Sequence, residues 1–264
     1  MRAMRLIGAA LAIAALTAGV PTSAADAKAV LAVPRDRLKT ADFRASGHLT
    51  RVEANGNRIS FPILIKARWF PGVLRVLVEI GTNSKSDQAM SEHIPVHILL
   101  EMRPDGQNSI RIAHPDDKTA SVVPQEKWSD GPLGGGFSYE DFLEQQYFWP
   151  SQTVVEQTKR GARDCDVLLS APGAADKTRY AQVKTWLDHG IGFPVYIEKT
   201  LKGTGAVKEF TYYGLRHEGG VWSASQVEAK MHGQGGSTLL IVDRGSAKAN
   251  LSLSDFSPEQ LTRF

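Results

Sequence analysis

From residue 42 to residue 243 the chain falls into short segments in which apolar and polar residues trade places at every second position. Turns containing glycine or proline separate them. A period of two puts one set of side chains on each face of an extended strand, so the pattern predicts β-structure. The clearest run is 59–70. Ile59, Phe61, Ile63, Ile65, Ala67 and Trp69 fall on one face and Ser60, Pro62, Lys66 and Arg68 on the other, with Leu64 and Phe70 breaking the alternation. Pro62 has no N–H for a ladder, which predicts an edge position or a bulge. Pro71 and Gly72 turn the chain into residues 73–80, where Leu74, Val76, Val78 and Ile80 share a face. Residues 42–52 precede this pair across Asn55-Gly56-Asn57, a strong hairpin signal. Residues 95–103, 109–114 and 119–123 extend the sheet. Strands resume at 149–159 and 164–171 and continue at 180–188, 193–200, 207–213, 221–231 and 237–243. Strands joined in succession by short turns make an antiparallel meander.

The pattern changes once. Glycine-rich residues 131–136 lead into Phe137-Ser138-Tyr139-Glu140-Asp141-Phe142. Ser138 is placed to cap a helix over 138–146, with Asp141 at its third position, and Phe137 and Phe142 have the spacing of a hydrophobic staple. Tyr139, Phe142 and Leu143 line one side of that helix at i, i+3 and i+4. A last short helix is predicted by Ser257 as N-cap and Pro258 at the first helical position. The fold class is α+β, mainly β. About eleven or twelve antiparallel strands form one strongly curved sheet that twist makes curl or close. The short helix 138–146 covers its concave apolar face.

The N-terminus departs from this pattern. Arg2 and Arg5, the apolar run 6–20 and Thr22-Ser23-Ala24 before Ala25 form a cleavable secretory signal peptide over 1–25. The run is too short for a membrane anchor. Residues 26–41 are an N-terminal arm, short helix or linker, and 42–264 are one domain. The expected product is a soluble periplasmic protein. The formal charge of +3 falls to +1 without Arg2 and Arg5. Such a balance lacks the basic footprint of a nucleic-acid partner. Cys165 is the single cysteine, so no internal disulfide forms, and it is expected as a buried small hydrophobe.

The polar residues offer little catalytic chemistry. His93 and His97 stand four apart with Pro95 between them. On a strand that spacing is about 13 Å, too far for one metal ion. Gly134-Gly135-Gly136 precedes Ser138, but no Gly-x-Ser-x-Gly elbow accompanies it. His114-Pro115-Asp116-Asp117 is a turn, and no glycine loop has the context of a phosphate cradle. No catalytic residue, metal site or cofactor is expected. The apolar faces remain. Phe61, Ile63, Ile65 and Trp69 share a face with Leu74, Val76 and Val78 of the next strand, and Tyr139, Phe142 and Leu143 are placed to close over them. These ten are the candidate ligand-binding residues. Ile98 and Leu100 add to the same surface.

Several runs resemble the outer-membrane lipoprotein-sorting protein family. They are 136–142 with its Phe-Ser-Tyr-Glu-Asp core, 164–169, 180–188, 222–231, 236–242 and 255–261. Their order and spacing carry the likeness, which covers residues 42–264. It implies the fold of the periplasmic lipoprotein carriers, an incomplete antiparallel barrel whose concave face receives acyl chains. The expected function is a periplasmic lipid- or lipoprotein-binding carrier. Its partners would be an acyl chain and an envelope transporter or outer-membrane acceptor. The alternatives are a non-catalytic interaction subunit of an envelope transport system and an envelope hydrolase. The glycine-rich loop before Ser138 is the expected hinge for release.

Overall fold

The computed structural model describes residues 26–81, 95–133 and 136–264. The expected signal peptide, His93, and Gly134 with Gly135 lie outside the described residues. An α-helix, α1 (Ala27–Lys39), precedes six strands: β1 (Asp42–Val52), β2 (Arg58–Phe70), β3 (Val73–Ile80), β4 (Val96–Met102), β5 (Ser109–Ala113) and β6 (Ser121–Val122). Seven more follow: β7 (Ser151–Arg160), β8 (Arg163–Ala171), β9 (Tyr180–Asp188), β10 (Pro194–Leu201), β11 (Val207–Glu218), β12 (Val221–Met231) and β13 (Ser237–Ser246). A short helix, α2 (Pro258–Leu261), comes last. The strands form one curved antiparallel sheet of 13, in the order β6-β5-β4-β3-β2-β1-β13-β12-β11-β10-β9-β8-β7.

That order decides what covers the sheet. Two meanders meet in the middle, where β1 pairs with β13. The outer strands β6 and β7 are consecutive in the chain yet lie at opposite edges. The chain between them must therefore cross from one edge to the other, and its described residues, 123–133 and 136–150, lie over the inner face. α1 enters the middle of the sheet through β1 and lies on the same side. The main core forms between these covers and the strands. It includes Leu31 and Leu38 of α1, Phe137, Leu143, Tyr147 and Trp149 of the crossing segment, and the inward residues of β1–β5 and β7–β12.

The sequence expectation for 26–41 resolves into a helix. Asp26 accepts from the Lys28 N–H as its N-cap, and Leu31, Pro34 and Leu38 form its buried stripe. Pro34 sits inside the helix, where it removes a backbone hydrogen bond. Tertiary contacts offset the loss. Arg35 Nε donates to the Tyr147 carbonyl at 2.7 Å. Val33 presses on Gly192, where an added Cβ would lie 2.6 Å from the Val33 Cβ and φ is +61°.

The helix expected over 138–146 is not one helix. It is two 3-10 turns, Tyr139–Phe142 and Gln145–Phe148, with Leu143 extended between them at φ −111° and ψ 136°. The capping box of Ser138 and Asp141 is present, and Phe137 and Phe142 stack at 5.7 Å. The first turn is nevertheless captured by its neighbours: Tyr139 N–H donates to the Asp130 carbonyl and Glu140 N–H to that of Trp128. Tertiary hydrogen bonds outweigh a weak local preference for α-helix.

Two local deviations have simple causes. Pro62 lies inside β2 without a bulge, paired with His48. Its carbonyl accepts from Gly81 N–H just beyond the end of β3, so its nitrogen faces a place where β3 has already stopped. β11 runs five residues past its expected end at 213, through Gly214 at φ +59°. A Cβ at Gly214 would meet Ser225 Oγ at 2.0 Å.

The C-terminal segment makes a second core on the outer face. Phe256 and Leu261 pack with Leu77, Leu99 and Ala113, which accounts for the burial of both faces of β3 and β4. Phe70, out of phase with the inward residues of β2, points to this outer core and meets Phe256 edge-on at 5.6 Å. Asp42 holds the strap by accepting from Asn250 and Leu251 N–H. Phe256 is 2 % exposed, and Phe256→Ala is expected to lower unfolding free energy by about 3–5 kcal/mol. Urea denaturation followed by circular dichroism checks this; a loss under about 1 kcal/mol would show that the strap carries no core.

Candidate functional site

Between α1, the crossing segment and the sheet lies a cavity of about 300 Å³, at the small end of ligand sites, which run about 300–1,000 Å³. Its sheet wall is mostly carbon: Ala45 of β1, Ile65 of β2, Leu74 and Val76 of β3, Ile197 of β10, Phe210 of β11 and Leu240 of β13. Leu38, Phe137 and Phe142 close the other side. The polar residues of the cavity come from the covers (Arg37, Thr40, Asp141, Glu144 and Gln146) and from the strands: Asp42 and Arg44 of β1, Lys199 of β10, Tyr212 and Glu218 of β11, Ser223 of β12 and Ser246 of β13.

The structure brings the ten sequence-derived residues into one core, but not all to this cavity. Ile65 faces Val78 across the β2–β3 ladder, Ala67 faces Val76, and Trp69 faces Leu74. Ile65, Leu74, Val76 and Phe142 line the cavity. Phe61, Ile63, Val78 and Leu143 pack in the main core beyond it, with Tyr139 against the same core. Trp69 stacks on Phe148 at 5.6 Å. Gly136, part of the expected hinge, is wedged against β12. An added Cβ would lie 2.2 Å from the Ala229 carbonyl oxygen, and Gly136 N–H donates to Thr238 Oγ1. That close approach explains the glycine without a hinge.

The sequence reading missed a buried charge cluster. Lys199 and Lys208 are direct partners across the β10–β11 ladder, in inward phase with Ile197 and with Phe210 and Tyr212. Two like charges so placed repel. Asp141 sits between them. Its Oδ1 accepts from Lys199 Nζ at 3.0 Å and from the Tyr180 hydroxyl at 2.5 Å. Its Oδ2 accepts from Lys208 Nζ at 3.1 Å, Ser138 Oγ at 2.6 Å and Ser138 N–H at 2.8 Å. The Asp141 side chain is 0 % exposed, and those of Lys199 and Lys208 are 5 % and 4 %. Lys199 Nζ also lies 4.7 Å from the Phe210 ring centre and 5.1 Å from that of Tyr180. The legible signal was a lysine in the inward register of β11, beside Phe210 and Tyr212.

Glu140 is buried next to this cluster. It accepts from Thr178 Oγ1 at 3.0 Å, Gln145 Nε2 at 3.3 Å and Arg179 N–H at 3.2 Å. Burial and the neighbouring Asp141 raise its pKa to about 7, offset only in part by the Arg179 N–H and Lys199. Burial would raise Asp141 too, but Lys199, Lys208, Ser138 and Tyr180 outweigh it and hold that carboxyl well below the usual range. At the cavity edge Arg37 Nη2 donates to both oxygens of Glu144, at 2.9 and 2.7 Å. Its guanidinium lies over the Phe193 ring at 5.1 Å. This pair ties α1 to the crossing segment.

The other polar candidates have structural roles. His97 is buried, with Nδ1 3.0 Å from the Leu261 carbonyl oxygen and its ring stacked on Phe264. His114 N–H donates to Asp117 Oδ2 in the expected turn. Cys165 is buried. Among the described residues, no His, Cys, Asp and Glu group is arranged to hold a metal ion, and no helix is long and apolar enough to cross a membrane.

A family model described only as an uncharacterized protein matches residues 103–263. No curated protein matches the chain. Three solved structures share the fold. An outer membrane lipoprotein-sorting protein domain from Vibrio parahaemolyticus superposes with a TM-score of 0.76 at 19% identity, covering 90% of this chain and 100% of that one. A DUF1329 family protein from Desulfovibrio piger gives 0.74 at 16%, covering 89% and 98%. A LolA superfamily protein from Nitrosomonas europaea gives 0.64 at 12%, covering 89% and 99%. At these identities the likeness is one of fold.

Two outcomes are expected from the cluster. Asp141→Asn leaves two buried lysines opposed without an anion, and breaking a buried pair costs about 3–5 kcal/mol; chemical denaturation at neutral pH measures it. Glu140 works in the opposite direction with pH. Its folded pKa lies above the ordinary 4.5, so the folded state keeps a proton that the unfolded state has lost. Stability contributed by this group is full below about pH 4.5 and falls as pH rises toward 7, by on the order of 3 kcal/mol. Glu140→Gln should flatten stability against pH across that window. An unchanged slope would show that Glu140 does not titrate there.

Proposed function

We propose that this chain, which belongs to the uncharacterized protein family matched over residues 103–263, is a non-catalytic carrier that shelters an acyl chain in the cavity on the inner face of its sheet. The observation that carries this reading is the cavity itself. About 300 Å³ remains unfilled between an open sheet and its covers, and the sheet wall is lined mainly by Ala45, Ile65, Leu74, Val76, Ile197 and Phe210. Moving an alkyl chain from water into such a space yields about 0.8 kcal/mol per methylene, so no reactive residue is needed for binding. The fold shared with a lipoprotein-sorting domain supports the same direction.

In this reading residues 1–25 are a signal peptide and the carrier works in the periplasm. Residues 42–264 form the binding domain, with α1 as part of its cover. Ile65, Leu74, Val76 and Phe142 touch the chain directly. Phe61, Ile63, Trp69, Val78, Tyr139 and Leu143 shape the core around it. The cargo is a lipid or lipoprotein, exchanged with an envelope transporter or an outer-membrane acceptor. Arg37 with Glu144 is the contact that would open to admit it.

Ala45 offers the direct test. It is 8 % exposed, faces the cavity and stands opposite Ile65. Ala45→Phe should fill the space with carbon while adding no charge. Displacement of an uncharged fluorescent dye by a long-chain alkyl ligand should weaken at least about tenfold, a change of about 1.4 kcal/mol, with the variant folded by circular dichroism. Equal, saturable binding by both proteins would remove this cavity from the reading. No binding of dye or ligand by the wild type would overturn the carrier reading itself.

A further inference from the structure

The hydrogen bonds around Asp141 are unevenly shared. The carboxylate accepts five, two on Oδ1 and three on Oδ2. Its oxygens have about four lone-pair sites, so its acceptor capacity is used up. The two ammonium groups are in the reverse position. Each has three N–H donors, and among the described residues each makes a single hydrogen bond, both to Asp141. Two buried cations therefore face one buried anion. Of the two lysines, Lys199 lines the cavity, beside Ile197 and Phe210; Arg37 and Arg44 line it too, and Arg37 is already paired with Glu144. Glu140 balances the count only in part: its charge is felt by Lys199, but its acceptors are engaged by Thr178, Gln145 and Arg179, and burial beside Asp141 favours its neutral form.

We propose that the cavity takes an anionic amphiphile, a single alkyl chain ending in a carboxylate or phosphate, with the anionic head accepting from the spare donors of Lys199. This rests on the carrier reading and deepens it. It names the ligand as a free anionic amphiphile rather than an acyl group held in a neutral ester or amide. An added anion converts the two-to-one imbalance into two cations with two anions. Lys208, behind Lys199 on the next strand, stabilises the head through the shared charge of the cluster. The chain of the ligand lies against Ile65, Leu74 and Val76. Partial protonation of Glu140 near neutral pH leaves the cluster with net positive charge, which favours the same ligand.

The test separates this proposal from the reading beneath it. Decanoate, decyl phosphate and decan-1-ol have the same chain and differ in the head. Each is titrated against wild-type protein loaded with the uncharged dye N-phenylnaphthylamine. Both anions should displace the dye at concentrations at least about tenfold lower than the alcohol, as a charge-assisted hydrogen bond in a buried site requires, and the ratio of the two anions distinguishes a carboxylate from a phosphate head. Lys199→Met replaces the apolar stem nearly atom for atom and removes the ammonium group, while Asp141 retains Lys208; it should bring the anion-to-alcohol ratio to about one. Equal displacement by all three ligands on wild type would overturn the anionic head and leave the apolar cavity standing. Displacement by none would overturn the carrier reading first. A crystal structure of the wild type with decyl phosphate gives an answer that does not depend on the variant. It should place a phosphate oxygen within about 3 Å of Lys199 Nζ, and a head group facing away from Lys199 would contradict the proposal.

Discussion

Asp141 holds two lysines that would otherwise repel across neighbouring strands, and the inner half of the molecule is arranged around that contact. Lys199 and Lys208 belong to the sheet, and Asp141 belongs to the segment that crosses it. Their ion pairs are therefore a buried tie between cover and sheet, reinforced by Ser138 and Tyr180 and joined by the hydrogen bond from Gly136 N–H to Thr238. The energetics are lopsided. A buried ion pair adds little net stability compared with good apolar packing, yet removing one partner is costly because the others remain buried and charged. The cluster fixes where the crossing segment sits more than how stable the sheet is. By fixing that segment it sets how much room is left beneath it.

The room exists because of topology. A chain that winds outward from β1 to β6 and then restarts at β7 on the far edge has to bridge the sheet. The bridge and α1 together cover the inner face, but they are short 3-10 turns and a single helix of 13 residues. Such covers meet the sheet at a few large side chains, notably Trp149, Tyr147 and Phe137. Space is left where α1 ends and β1 begins, between Leu38 and Ala45. The outer face has its own solution. The C-terminal strap buries Leu77 and Leu99 there, so the strength of β3 and β4 does not depend on the inner cavity being filled.

Strands were legible because alternation is a direct consequence of the pleat. The limits of β1, β3, β9 and β12 follow from sequence to the residue, and the paired faces of β2 and β3 do as well. What was not legible depended on tertiary contacts. Pro34 disguised α1, whose burial comes from three residues and two arginine contacts. Residues 138–146 carry every local mark of a helix start, and the capping box is real, but backbone hydrogen bonds to Trp128 and Asp130 pull the turn away from α-geometry. The lysines escaped because charge is ordinarily assigned to the surface. Only the inward phase of Lys208 with Phe210 and Tyr212 signals otherwise, and its meaning depends on an aspartate 67 residues away in the chain. In the same way Ile65, Leu74, Val76 and Phe142 were identifiable as apolar faces, whereas Ile197 and Phe210 reach the cavity only because β1 pairs with β13 and joins the second meander to the first.

The central claim is that this cavity is occupied by an amphiphile in the cell. Mass spectrometry of an organic extract of the protein, purified without detergent from the cells that produce it naturally, tests that most directly. The account predicts a single-chain anionic amphiphile recovered in roughly equal molar amount with the protein. An extract with no amphiphile above the level of an Ala45→Phe control purified in parallel would contradict it.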